Sequence, residues 1–240
     1  MGEINVDIRS SKVRLDNLSK EDALYVCLKV FKQLELHIRS DFTEYKGTKL
    51  FYQNKIKDIV KDKTLNINLN DYSDQEFGRP MSNPGHENLQ LDLSNKNWYV
   101  YDEDYGTSEE KNFIQYINGV IDKLKEKFSE IYLIRNHKLF KLFRFSDGKP
   151  TEPDFVLFLK EIGDNNWIQY QLFVEAKGTH LLLKDQWKED FLRGIESNYE
   201  LHILDEDENY RLLGLPFFNE DKKTEFNNIF SKELGLSNNS

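Results

Sequence analysis

The chain has one cysteine, Cys27, among its 240 residues. That excludes an internal disulfide framework and a cysteine-built zinc site, and makes a reducing, cytoplasmic setting the expectation. Long apolar runs are missing as well. None approaches the roughly 18 residues of a spanning helix, and no signal peptide is visible, so no membrane segment is expected. A basic excess is missing too: Asp and Glu number 42 against 33 Lys and Arg, for a formal net charge of −9. This is the wrong sign for a domain that holds nucleic acid by a general basic surface, so any such contact has to be local or cation-mediated. There is no G-x-x-x-x-G-K-[ST] phosphate loop, glycine-rich dinucleotide loop or Ser/His/Asp arrangement, and Asp205-Glu206-Asp207-Glu208 lacks the context to replace a phosphate loop.

What the chain does have is core-forming material. Hydrophobic residues make up 38% and aromatics 13%, with 17 Phe and 12 Tyr, a composition that favours a fold containing sheet. Leu24, Leu28, Phe31, Leu34 and Ile38 recur at spacings of three and four, which predicts a helix from Ser19, with Ser19 and Asp22 as a capping pair. Phe51 to Leu69 reads as a short helix and then a strand through Leu65, Ile67 and Leu69. Residues 70 to 90, rich in Asp, Ser, Asn, Gly and Pro, read as a loop and place a boundary near residue 90. The expected parts are a smaller, mainly helical N-terminal extension over 1–90 and a larger domain over 91–240.

In the larger part, Phe113, Ile114, Ile117, Val120, Ile121, Leu124 and Phe128 form one helical stripe behind Thr107 or Ser108 as N-cap. Ile131–Ile134 and Leu139–Phe145 are β-like. Asp154–Leu159 is apolar after its first residue, as expected of a strand buried on both faces. The turn Gly163-Asp164-Asn165-Asn166 separates it from a strand over Trp167–Lys177. Asp185 is expected to cap a helix with Trp187, Phe191, Leu192 and Ile195 facing inward. Tyr199–Leu204 reads as the closing strand, and Lys222–Leu234 as a final helix. The class is α/β.

The Trp167–Lys177 strand has two faces, because alternate side chains point to opposite sides. Glu175 and Lys177 share one of them. If this strand and the one opened by Asp154 form a hairpin, Asp154 lies beside that pair. Two close carboxylates repel, and a hard cation with oxygen ligands, Mg²⁺ (or Mn²⁺ in its place), relieves the repulsion. The Ala176 carbonyl lies between the two side chains as a third ligand, while Lys177 orients or deprotonates water or stabilises phosphate charge. The competing reading is an ordinary Glu175–Lys177 salt bridge with Asp154 in a turn. Arg135, Lys138, Lys141 and Arg144 concentrate positive charge near the site and are candidate DNA-backbone contacts, which Lys184 and Lys188 would extend. His137 and His180 read as structural, and Trp187 as core.

Glu152-Pro153-Asp154 through Leu159, followed by Tyr170 through Glu175-Ala176-Lys177-Gly178, resembles the PD-(D/E)xK nuclease motif. Gly106-Thr107-Ser108-Glu109-Glu110-Lys111, Leu133-Ile134-Arg135-Asn136, Lys184-Asp185-Gln186-Trp187-Lys188 and Gly214-Leu215-Pro216-Phe217 extend the likeness. Together they resemble the C-terminal endonuclease domain of type III restriction enzyme Res subunits and related helicase-nucleases. The resemblance implies a restriction-endonuclease-like αβββαβ core, a mixed central sheet flanked by helices. It also implies metal ligands at Asp154 and Glu175, a catalytic Lys177, and a helix glutamate for which Glu110 is the better match and Glu109 the alternative. Magnesium-dependent cleavage of double-stranded DNA follows as an expectation, in concert with a helicase or translocase region and a methyltransferase subunit. The ATP-driven motor itself is absent from this sequence. The rivals are a catalytically silent module for DNA or protein docking and a structure-specific nuclease.

Overall fold

The computed structural model describes residues 19–40, 46–52, 55–60, 62, 78–163, 168–202 and 209–236. The chain divides into two compact units, Met1–Tyr45 and Lys46–Ser240. The expected boundary near residue 90 does not coincide with this division: Met81, Leu89 and Leu93 are buried within the second unit.

In the first unit, helix α1 spans Lys20–Ser40. Ser19 Oγ accepts the Asp22 N–H at 3.1 Å, so the anticipated capping pair forms. Leu24, Leu28 and Phe31 of the apolar stripe are exposed. The side chains of Leu34 and Ile38 lie outside the described residues.

The second unit opens with β1 (Leu50–Tyr52) and the single turn α2 (Ile56–Ile59). The strand expected through Leu65, Ile67 and Leu69 falls outside the described residues. Helix α3 (Ser108–Lys127) begins at a full capping box: Thr107 Oγ1 accepts the Glu110 N–H, and the Glu110 carboxylate accepts the Thr107 N–H. There follow β2 (Phe128–Arg135), the short β3 (Leu142–Phe143) and β4 (Pro150–Thr151), β5 (Phe155–Glu161) and β6 (Ile168–Val174). Then come α4 (Leu182–Arg193), α5 (Ile195–Asn198), β7 (Glu200–His202), β8 (Asn209–Gly214) and α6 (Lys223–Glu233).

A four-stranded mixed sheet runs in the order β2-β5-β6-β8. β2 and β5, and β5 and β6, are antiparallel, whereas β6 and β8 are parallel. Alternation along the strands divides the interior in two. Phe155, Leu157, Tyr170, Leu172 and Val174 face α3 and α6, in a core where Phe113 touches the rings of Phe155, Phe218 and Phe226. Val156, Phe173 and Leu212 face the opposite way, against Phe191, Leu192 and Ile195 of α4 and α5. Each face is therefore covered by helix, which is why the central strands read as nearly continuous apolar runs.

Two expectations need correction. The strand that completes the sheet is β8; β7, where the closing strand was expected, pairs with β1 in a separate two-stranded sheet. Asp185 does not cap α4, whose N-cap is Leu181 with no side-chain cap bond. Gly214 ends β8 where a Cβ would stand 1.9 Å from the Leu192 carbonyl oxygen, so only glycine lets the strand approach the end of α4 so closely.

Candidate active site at the end of the β5–β6 hairpin

The register places Phe155 opposite Val174, which sets the start of β5 beside the end of β6. Asp154 precedes the first and Glu175 follows the second, so the hairpin brings the two acids together. Asp154 Oδ2 accepts the Ala176 N–H at 2.8 Å. In extended backbone a residue's N–H and C=O point to the same side. The Ala176 carbonyl therefore faces Asp154, while the other edge is bound to Phe218: its N–H reaches the Glu175 carbonyl at 2.9 Å, and its carbonyl accepts the Lys177 N–H at 2.8 Å.

Glu175 is 2% exposed. Its Oε1 accepts from Lys177 Nζ at 2.9 Å and from Lys188 Nζ at 3.1 Å. Its Oε2 is buried, with no hydrogen-bond partner among the described residues. Asp185 lies across the same lysines, 3.1 Å from Lys177 Nζ and 3.8 Å from Lys188 Nζ. Glu175 and Lys177 do share one side of the strand, as alternation requires, and two residues of α4 join them.

Burial pushes the Asp154 carboxyl well above the usual carboxylate range, and the negative charges of Glu175 and Glu110 push it further. Burial works to lower the Lys177 ammonium, but Glu175, Asp154 and Asp185 outweigh it and hold the pKa raised. For Asp154 the linkage sign follows directly. A carboxyl whose folded pKa lies above its unfolded value stabilises the fold fully below the unfolded pKa, and that contribution is lost as pH rises through the folded one. At neutral pH a carboxyl in the place of Asp154 is thus a liability in the metal-free protein. Asp154→Asn, which keeps an acceptor for the Ala176 N–H, is expected to raise metal-free stability at pH 7 by about 1 kcal/mol or more. The gain should shrink as pH falls towards 4. Urea denaturation at several pH values checks this, and an Asn variant less stable than the wild type at pH 7 would contradict it.

A cavity of about 430 Å³ opens onto Asp154, Ala176 and Lys177 and is walled by Glu109, Lys138 and His180 among others. A family model described as HI_1054_C, C-terminal domain, matches residues 86–240, which include every residue of this site. The chain belongs to that family. An uncharacterized protein of Haemophilus influenzae is similar, with 36% identity over 216 residues that span 86% of this chain and 43% of that protein. The chain thus spans less than half the length of this relative. No solved structure matches the chain.

Within this HI_1054_C family member, the helix carboxylates have different situations. Glu110, the better match for the helix glutamate, is buried and has both its oxygens engaged. Oε2 accepts the Thr107 N–H at 2.6 Å, and Oε1 accepts Arg135 Nε and Nη2 at 2.9 and 2.7 Å. Glu109 instead reaches the lysine turn, its Oε1 standing 2.8 Å from where a Gly178 Cβ would be. A Cβ at residue 178 would shift the tip of that carboxylate and press on the His180 ring at 3.0 Å, so residue 178 lies close to both.

Of the expected DNA contacts, Arg135 is corrected. It is 7% exposed and bound to Glu110, with Asp104 3.6 Å from its Nε, because a cation on the inward face of β2 has to be neutralised by buried acids. Arg144 is held by a fork to Asp147 and lies 5.0 Å over the Trp187 ring, and Lys149 lies 3.8 Å over the same ring. Trp187, expected in the core, is thus a half-buried partner of two cations. Lys141 pairs with Glu152 at 2.9 Å and remains half exposed. Lys138 is exposed on the cavity wall with a left-handed φ of 61°. Its loop is pinned by Asn136, whose N–H reaches the Asp154 carbonyl at 2.7 Å and whose Oδ1 accepts the Leu139 N–H at 2.9 Å. Lys188, expected to extend the DNA-contact surface, also binds Glu175, a role for which its spacing of three from Asp185 on one helix is the visible signal.

Among the described residues, no group of three or more His, Cys, Asp or Glu surrounds a common point. The available donor set is two carboxylates and one carbonyl, with one carboxylate oxygen buried and unpartnered. That set is all oxygen, which suits a hard cation that retains several waters. Among the described residues no helix is long and apolar enough to cross a membrane.

Proposed function

We propose that the chain is a magnesium-dependent DNA endonuclease domain with a restriction-endonuclease-like αβββαβ core. The order α3, β2, β5, β6, α4, β8 is compatible with that core. The observation that carries the reading is the meeting of Asp154, Glu175 and Lys177 at one end of the β5–β6 hairpin, with Asp154 and Lys177 lining one cavity. Asp154, Glu175 and the Ala176 carbonyl would hold Mg²⁺, or Mn²⁺ in its place, and the ion supplies Lewis-acid activation of phosphate and water. Lys177, fixed by Glu175 and Asp185, orients the attacking water and stabilises charge on the phosphate. Lys138 and Lys141 supply local backbone contacts on an otherwise acidic protein. By resemblance the domain belongs to a cytoplasmic type III-like restriction or defence enzyme, acting on double-stranded DNA with a helicase or translocase region and a methyltransferase subunit.

One observation favours a second reading, a silent docking module: Glu175 Oε1 is already occupied by two lysines. Calorimetric titration with Mg²⁺ and Mn²⁺, followed by cleavage assays on duplex, branched and single-stranded DNA, separates the readings. The nuclease is expected to bind metal at millimolar concentration or below and to cut duplex DNA only with metal. Absence of both binding and cutting, at enzyme excess, leaves the docking module.

A further inference from the structure

Four charged groups close on one another behind the proposed metal ligands: Glu175 and Lys177 at the end of β6, and Asp185 and Lys188 on α4. Two positive and two negative charges balance, and Glu175 Oε1 is shared by both ammonium groups. A divalent cation arriving at Glu175 meets two like charges on its ligand, so one has to withdraw. The surroundings of the two lysines differ. Lys177 Nζ holds Glu175 at 2.9 Å and Asp185 at 3.1 Å, so it is anchored at both ends. Lys188 Nζ holds Glu175 at 3.1 Å but stands 3.8 Å from Asp185 Oδ2, a second acceptor not yet fully engaged. Its side chain is also the more exposed, 22% against 15%, so its ammonium is the more easily hydrated on leaving.

We propose that Lys188 is a positioning residue that plugs the metal site: it neutralises buried Glu175 in the metal-free protein and moves to Asp185 when the cation enters. The inference rests on the reading of Asp154 and Glu175 as metal ligands. It gives the two α4 residues opposite effects on metal affinity. Lys188 competes with the metal for Glu175, whereas Asp185 receives the displaced lysine and shares the charge of Lys177. A loss of site geometry alone would weaken binding in both variants.

The test is calorimetric titration of Mg²⁺ and Mn²⁺ into the full 240-residue chain, without DNA, with folding checked by circular dichroism. Lys188→Met is expected to bind metal about tenfold tighter or more than the wild type, the scale of a unit charge a few Å away. Asp185→Asn is expected to bind at least about threefold more weakly, because both lysines then remain on Glu175. Lys188→Gln serves in place of Lys188→Met if the latter does not fold. Wild-type binding with affinity unchanged or weakened in the Lys188 variant overturns the plug and leaves the metal site standing. If neither the wild type nor the Lys188 variant takes up metal at millimolar concentration, the metal-site reading itself fails, and the plug with it. Binding by the Lys188 variant alone supports the plug in its strongest form.

Discussion

Lys177→Ala is expected to lower metal-dependent cleavage of duplex DNA by about 10²–10³-fold while leaving metal binding in place, the scale lost with one preorganised charge at a reacting group. The two outcomes separate because Lys177 is not among the proposed ligands: it binds Glu175 Oε1, and its removal takes a positive charge away from the metal position. The fold should tolerate the change, since Lys188 remains on Glu175 at 3.1 Å and the buried carboxylate keeps a cation. Lys177→Arg is not expected to restore the rate, because a planar guanidinium cannot present a point charge along the same directions. Single-turnover cleavage at saturating metal, beside calorimetry on the same samples, reads both quantities. Full activity in Lys177→Ala would remove the role from Lys177 and turn attention to Lys188, the other ammonium on the same oxygen.

Much of this candidate site is legible in the sequence, because its logic is periodic. Alternation along 167–177 puts Glu175 and Lys177 on one side, Gly163-Asp164-Asn165-Asn166 reads in sequence as a turn that joins the two strands in a hairpin, and a hairpin sets the start of one beside the end of the other. Helix α3 was equally plain: a strong turn signal at Thr107 precedes a sustained stripe, and local bonds fix both. What escaped depends on partners distant in sequence. In β8, Leu212 and Leu213 are both buried, one against each core, so its six residues show none of the alternation that marks a half-buried strand. Lys188 enters the site only because α4 packs across the end of β6, a placement that no local spacing encodes. Trp187 has the size of a core residue, yet its ring is covered by Arg144 and Lys149 from the loop region around β3 and β4. For Arg135 a signal existed. Ile131, Leu133 and Arg135 alternate on β2, and all three are buried, so the arginine continues an inward row rather than a surface one.

That inward arginine carries the second large expected effect. Arg135 joins the end of β2 to the start of α3 through Glu110 and to the 99–106 segment through Asp104, which also accepts from Tyr99 Oη at 3.0 Å and the Gly106 N–H at 2.8 Å. Lys111 closes the group from α3 by donating to the Gly106 carbonyl. Burial works to lower the guanidinium pKa, but Glu110 and Asp104 outweigh it; burial raises the Asp104 carboxyl, with Arg135 opposing. Arg135→Met fills most of the same volume and leaves the two acids without their guanidinium partner. The expected cost is about 3–5 kcal/mol of unfolding free energy at pH 7, the range for removing one member of a buried ion pair. The loss should narrow as pH falls, because the Asp104 carboxyl, raised by burial, then lacks the opposing guanidinium and regains stability on taking up a proton. Adding Glu110→Gln should recover part of it, since the amide keeps an oxygen for the Thr107 N–H and removes one unpaired charge. Urea melts of the single and double variants at pH 7 and pH 5 measure all three quantities. A single-variant cost below about 1 kcal/mol would place Arg135 among ordinary surface cations and return it to the candidate DNA contacts.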